Sequence, residues 1–306
     1  MKIILAKPRG FCAGVKRAIG GVLNTLQQYG PPIYVLNHIV HNAHVVQSLR
    51  EKGVVFVKDL QEVPPFATLL FSAHGVAPRL WAEAKTRCLN VVDATCPLVE
   101  RIHHEVVRFA KSGYTIVFVG DAGHDETVAT VGHAPERMIV LNSADGVERL
   151  DVTDPERIAY VTQTTLSVDD SKGIIAALRR RFPNIHGPER GNVCYATANR
   201  QAVLRDLGDD IDLVLVVGDP ESANSSRLAQ LARTAGKAAY LIPDASAICG
   251  KWVDDAKTIL LTSGASVPEH LVQEVIVYFR RLYDCVIEER ELAVENVHFS
   301  LPEIPR

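Results

Sequence analysis

Residues 9–15 read RGFCAGV, one cysteine between two glycines, directly after the apolar run KIILA (2–6) and before a helix-patterned segment. No second cysteine is close enough to make a C-x-x-C pair. Two further stretches repeat the arrangement, DATCPLV (93–99) and GNVCYATANR (191–200). A second kind of strand-to-helix junction follows each cysteine at nearly constant distance. His41 in HIVHNAHVV, His124 in GDAGHDET and Asn224 in GDPESANSSRL lie 29, 28 and 30 residues beyond Cys12, Cys96 and Cys194. A third kind follows 33, 40 and 42 residues later, at His74 in FSAHGVAP, Thr164 in VTQTTLS and Ser266 in TSGASVP. One polar loop residue is ordinary decoration of an α/β protein. Nine junctions in one repeated order argue instead for three similar α/β lobes in a pseudo-threefold trefoil.

The rest of the chain supports that class. Short apolar runs such as PIYVL, TLLFS, TIVFVG, RIAYVT, LVLVVG and TILLTS alternate with helix-patterned segments such as PLVERIHHEVVRFAKS and VPEHLVQEVIVYFRRL. This alternation predicts small, mostly parallel sheets. The repeats place the lobes at 14–95, 96–193 and 194–282, the third completed by the strand within 1–13. The charged, proline-ended stretch 283–306 reads as an irregular tail.

Composition narrows the function. With 306 residues, 47% hydrophobic and 23% charged, the chain is long enough for a substantial core. A net charge of −3 argues against a general nucleic-acid or membrane-surface binder. The opening MKIILAKP carries no export signal and no apolar run approaches a membrane span, so a cytoplasmic protein is expected.

In open parallel sheets, ligands collect where strands end and helices begin. Convergence of the three lobes would bring three thiolates to one floor and imidazole, hydroxyl and amide groups to its wall. Structural zinc is the competing reading, but it usually takes four ligands in closely spaced pairs. Here the cysteines are 84 and 98 residues apart, and Cys88, Cys249 and Cys285 lack the junction setting. An iron–sulfur cluster held by Cys12, Cys96 and Cys194, with one iron open to substrate, fits better. His41, His74, His124, Ser222, Asn224 and Ser266 suit phosphate oxygens, more strongly where imidazoles are protonated. The remaining histidines, His103 and His133 among them, read as structural. Glu126 is a candidate general acid if held in a partly dry site, and Thr164 could orient it or a substrate hydroxyl. Asp125 is expected to face solvent.

These motifs, with KPRGFCAGV, IVHN, TQTTLSVDD and CYATANRQ, resemble the 4-hydroxy-3-methylbut-2-enyl diphosphate reductase family (LytB/IspH) over roughly residues 1–282. The resemblance implies a trefoil around a central [4Fe-4S] cluster on Cys12, Cys96 and Cys194. It implies diphosphate binding by His41, His74, His124, Ser222, Asn224 and Ser266, with Thr164 at the substrate hydroxyl and Glu126 in proton delivery. The implied reaction is reductive dehydroxylation to isopentenyl and dimethylallyl diphosphate in the non-mevalonate pathway, fed by a ferredoxin- or flavodoxin-type donor. Ala223 departs from many relatives, which carry a second serine there. The alternative is a three-cysteine hydro-lyase or condensing enzyme acting on a small anion, which would turn over without an electron donor. A non-catalytic iron–sulfur sensor would need a basic face or a DNA-binding helix pair, and the sequence shows neither.

Overall fold

The computed structural model describes every residue except Arg190, Asp206, Asp209, Leu292 and Arg306. In chain order the elements begin β1 (Lys2–Lys7), α1 (Ala13–Tyr29), β2 (Ile33–Leu36), α2 (Ala43–Arg50), β3 (Val54–Val57), β4 (Thr68–Phe71), α3 (Pro78–Thr86) and β5 (Asn90–Asp93). There follow α4 (Pro97–Lys111), β6 (Thr115–Val119), α5 (Asp125–Val131), β7 (Met138–Leu141), β8 (Ile158–Thr162) and α6 (Val168–Arg181). The last group is α7 (Tyr195–Arg205), β9 (Leu213–Val217), α8 (Ala223–Thr234), β10 (Ala238–Ile242), α9 (Gly250–Val253), β11 (Thr258–Ser263), α10 (Glu269–Leu282) and β12 (Val286–Glu291).

Among the described residues the strands form three sheets, ordered β10-β9-β11-β1-β12, β3-β2-β4-β5 and β7-β6-β8. All their pairings are parallel. The repeat seen in the sequence is therefore a repeat of topology. In each sheet a middle strand (β2, β6 or β9) pairs with the next strand on one side and the one after that on the other. A fourth position is filled by β5 beside β4 and by β1 beside β11. In the three-stranded sheet it shrinks to a single bridge between His186 and Ala159. Cys194 consequently follows a loop rather than a strand, which corrects the expectation that all nine junctions sit at strand ends. The stretch HGPERGN between that bridge and the cysteine carries a proline and two glycines, which do not sustain a ladder.

The chain divides into two compact units. One comprises Met1–Val15, His41–Val45 and Tyr195–His298; the other comprises Lys16–Val40, Val46–Cys194 and Phe299–Arg306. The first holds the five-stranded sheet and the second the other two. Strands such as LVLVV (β9) and IAYVT (β8) are buried along their whole length, as expected where helices cover both faces of a parallel sheet. The helices over them are amphipathic. α4 buries Val99, Ile102, His103 and Val106, an i, i+3, i+4, i+7 stripe, and starts with Pro97 just behind Cys96. α10 buries Leu271, Val272, Val275, Ile276 and Phe279, with Glu269 in its first turn and Arg280 and Arg281 in its last, as the helix dipole favours.

Two strands were not visible in the sequence. β3 is a four-residue edge strand. β12 corrects the expected irregular tail: residues 286–291 pair with β1, from Lys2 opposite Val286 to Lys7 opposite Glu291. Its sequence VIEERE has no apolar run because it is an exposed edge, where charge discourages further pairing. Past residue 292 the described chain has no regular structure. Cys88 lies beyond the end of α3, exposed, at φ +56.

Phe279 is fully buried and Val277, on the same helix, is 60% exposed. Phe279→Ala is expected to lose about 3–5 kcal/mol in denaturant unfolding, and Val277→Ala to stay within about 0.5 kcal/mol.

Candidate functional site

Each cysteine of the three junctions occupies the residue immediately before a helix, at the starts of α1, α4 and α7. Each also donates its backbone N–H to a loop that follows a neighbouring strand. Cys12 N–H bonds Ala265 O at 3.1 Å, Cys96 N–H bonds Ala73 O at 3.0 Å, and Cys194 N–H bonds Thr164 O at 3.1 Å. The acceptors are the residues just before Ser266 and His74, and Thr164 itself. Each cysteine is thus tied through its backbone to the third junction of the preceding repeat, Cys12 to that of the last one. All six cysteines are thiols and not disulfides, and Cys12, Cys96 and Cys194 are half-buried.

In the first unit, the N–H of Val15 points at Cys12 Sγ from 3.5 Å. α8 begins at Ser222, whose Oγ accepts from Ser225 N–H at 3.3 Å and from Ser225 Oγ at 3.0 Å. Both bonds use Ser222 as acceptor, so its own hydroxyl proton is left to donate elsewhere. Asn224, 4% exposed, has neither Oδ1 nor Nδ2 bonded to any described residue. A buried amide in that state costs free energy unless a ligand completes it. Ser266 is buried and donates to His41 O at 3.0 Å. Close packing fixes this corner. A Cβ on Gly264 would come within 2.0 Å of Ser225 Oγ, and one on Gly218 within 2.5 Å. Both glycines were read only as part of motifs; the approach of Ser225 is what requires them.

In the second unit, Glu126 is 2% exposed on the first turn of α5. Its Oε1 accepts from Thr164 N–H at 2.7 Å and its Oε2 from Thr164 Oγ1 at 2.6 Å. Burial raises its pKa to about 7, against the pull of the two Thr164 bonds, which favour the ionised form. The carboxyl is therefore poised between its two protonation states near neutrality.

His124 caps the same helix, its Nδ1 accepting from Glu126 N–H at 3.1 Å. An Nδ1 used as acceptor places the ring proton of the neutral imidazole on Nε2. The His74 ring meets it edge-on at 5.5 Å, with Ser72 Oγ 3.3 Å from His74 Nδ1. Asp125 faces solvent only in part. It is half-buried, accepts from Asn37 Nδ2 at 3.4 Å and lies 4.0 Å from His74 Nδ1. The sequence hid this because Asp125 adjoins Glu126, and neighbours on a short first turn diverge only once the turn is placed.

The histidines read as structural include a buried pair. His103 and His133 stack at 4.1 Å, and burial holds His103 neutral, its pKa lowered to about 3. His103 packs under the left-handed Gly75 that follows His74, where a Cβ would come within 2.5 Å of its ring.

The LytB protein family model matches residues 3–280. The chain belongs to the LytB family. Relatives in it include proteins called 4-hydroxy-3-methylbut-2-enyl diphosphate reductase. One from Chromohalobacter salexigens is 50% identical over 99% of this chain and 97% of its own. Another, from Rhodopirellula baltica, is 46% identical over 99% and 95%. Among solved structures, the E-1-hydroxy-2-methyl-but-2-enyl-4-diphosphate reductase of Plasmodium falciparum superimposes with TM-score 0.95 at 36% identity, covering 98% of this chain and 95% of that one. A second, described as the terminal enzyme of the non-mevalonate pathway, gives 0.66 at 28% identity over 92% and 99%. The motifs of this LytB chain include the same residues that bond one another above: cysteine amide to junction loop, and Glu126 to Thr164.

Thr164→Val removes one of the two bonds that hold the Glu126 pKa down. Its titration point is expected to move upward from about 7, read by carboxyl infrared bands or carbon NMR with Glu126→Gln as the blank.

Proposed function

We propose that this chain reduces 4-hydroxy-3-methylbut-2-enyl diphosphate, taking up two electrons and two protons, releasing water and yielding isopentenyl and dimethylallyl diphosphate. The relatives' shared activity supports the reading, and the observation that carries it is the Glu126–Thr164 pair. A dry carboxyl with its pKa raised to about 7 and a hydroxyl within 2.6 Å make a proton donor suited to a departing hydroxyl group. Thr164 positions the substrate hydroxyl and passes on the proton of Glu126, so the group leaves as water and not as hydroxide.

The residues fit the implied cofactor. Three half-buried thiols, each anchored by its backbone at a helix start, are the donor set that cubane irons take, and no disulfide consumes them. Cys12, Cys96 and Cys194 would hold a [4Fe-4S] cluster, which when bound supplies the two electrons and a Lewis-acidic iron. The electrons come from a ferredoxin- or flavodoxin-type donor. Six reduced cysteines suit a cytoplasmic setting, and no helix among the described residues is long and apolar enough to cross a membrane.

Diphosphate binding is assigned to His41, His74, His124, Ser222, Asn224 and Ser266. Asn224 brings an amide with neither polar atom bonded among the described residues, and Ser222 a hydroxyl proton. At Ala223 the first N–H groups of α8 remain as donors where many relatives add a hydroxyl.

Anaerobically purified protein is expected to be brown and to contain iron and acid-labile sulfide. Serine at Cys12, Cys96 or Cys194 lowers both; serine at Cys88, Cys249 or Cys285 does not. A colourless protein with stoichiometric zinc would overturn the cluster.

The activity test is an anaerobic assay with 4-hydroxy-3-methylbut-2-enyl diphosphate and an artificial reductant, and turnover without reductant would point to a hydro-lyase. Glu126 keeps its proton below about pH 7 and loses it above, so turnover falls as pH rises through that value. Glu126→Gln should bind substrate and flatten that limb while losing on the order of 10²–10⁴ in rate. Near-normal turnover in that variant would remove Glu126 from the proton path.

A further inference from the structure

The segment after α10 carries no part of the reaction described above, yet its side chains converge on the loop that bears Cys12. Resting on the reading of Cys12 as a cluster ligand, we propose that Glu289 and Glu295, both beyond α10, form a clasp that positions the Cys12 loop through Arg9 and Arg200. The core of the clasp is an ion pair. Arg200 is wholly buried on α7, and Glu295 accepts from its Nη1 at 2.9 Å and its Nη2 at 3.4 Å. Asn199 Nδ2 steadies the same carboxylate at 3.2 Å. The same Nη2 holds the loop, donating to Gly10 O at 2.7 Å, two residues before Cys12.

Gly10 is fixed at its other end too, its N–H donating to Ser263 Oγ at 2.8 Å. Its φ of +69 is a left-handed conformation that Gly adopts readily, and it turns the chain from β1 toward Cys12. One residue earlier, Arg9 reaches the edge strand, its Nη1 donating to Glu289 Oε1 at 2.9 Å, while its Nη2 donates to Glu269 Oε1 at 2.8 Å. Arg9 and Gly10 are therefore both held, directly or through Arg200, by acidic residues of the C-terminal segment.

The dependence has a direction. A buried guanidinium without a counter-charge is strongly unfavourable, so Arg200 requires Glu295. The planar fork of Arg200 serves Gly10 O, Ala196 O and both oxygens of Glu295 in one fixed geometry, which the compact, rotatable ammonium of a lysine does not reproduce. Arg200 is a positioning residue: its bonds go to protein groups, and its effect on the site passes through the backbone of the Cys12 loop.

The test reads thiol reactivity in the metal-free, reduced full-length chain, with iodoacetamide alkylation located at each cysteine by peptide mass spectrometry. Glu295→Gln and Arg200→Lys should each raise the rate at Cys12 on the order of tenfold, with Cys96 and Cys194 within about twofold of the parent. The two unaffected cysteines separate a loosened loop from a loosened fold. An unchanged Cys12 rate, or a parallel rise at all three, overturns the clasp. Arg200→Lys keeps the buried charge opposite Glu295 and decides the matter alone if Glu295→Gln does not fold. Wild-type protein that assembles no iron and sulfide anaerobically would remove the cluster reading, while the alkylation result would still stand or fall on its own.

Discussion

The N–H of each junction cysteine reaches across to the carbonyl of a loop that follows a neighbouring strand, and the chemistry of the molecule hangs on those bonds. Parallel sheets bring strand ends and helix starts to one edge, where the first amides of a helix lack partners within it. Here the residue before the helix spends its own amide on the adjacent loop. The side chain on that residue is then aimed by the sheet and not by a mobile connection. The same bond joins the cysteine of one repeat to the third junction of the repeat before it, because the accepting carbonyl belongs to the residue before Ser266 or His74, or to Thr164 itself. Where the fourth strand of the pattern is reduced to one bridge, at His186, the anchor of Cys194 persists. The ladder is dispensable; the amide anchor recurs in all three.

Around that frame the protein tolerates groups that folding alone would not favour. Glu126 is buried deeply enough for its pKa to rise to about 7, and Asn224 is buried with neither polar atom bonded among the described residues. Both arrangements cost folding stability. The cost is met by well-packed surroundings: strands β8 and β9 without an exposed residue, and helices whose apolar stripes match their sheets. Ser225 presses on Gly218 and Gly264, and His103 on Gly75, so the polar corners rest on contacts that admit no side chain.

The C-terminal segment shows how an element of low apolar content is recruited. β12 contributes little burial of its own, and its ion pairs with Lys2 and Lys7 are exposed, which makes them individually weak. The pair between Glu295 and Arg200 differs because the arginine is wholly buried. In the second unit the last residues lie against α1, where Gly20 and Gly21 leave room for Leu301 and Pro302.

The α/β class, the strands with continuous apolar runs and the order of the junctions were legible in the sequence, because burial on both faces of a parallel strand and polar residues at its end leave a one-dimensional trace; Cys194, which follows a loop, is the exception. β3 and β12 left none: an edge strand buries one face at most, and VIEERE is indistinguishable from a charged tail until β1 is beside it. Asp125 and Glu126 are adjacent in sequence, yet only the placement of α5 against Thr164 puts one carboxyl in a dry site and the other beside His74. The tautomer of His124 was likewise set by a helix cap, and the partner of Arg200 by a residue far along the chain. Periodicity records which residues meet the core. Which polar group meets which is decided by contacts between segments distant in sequence, and these exist only in the folded chain.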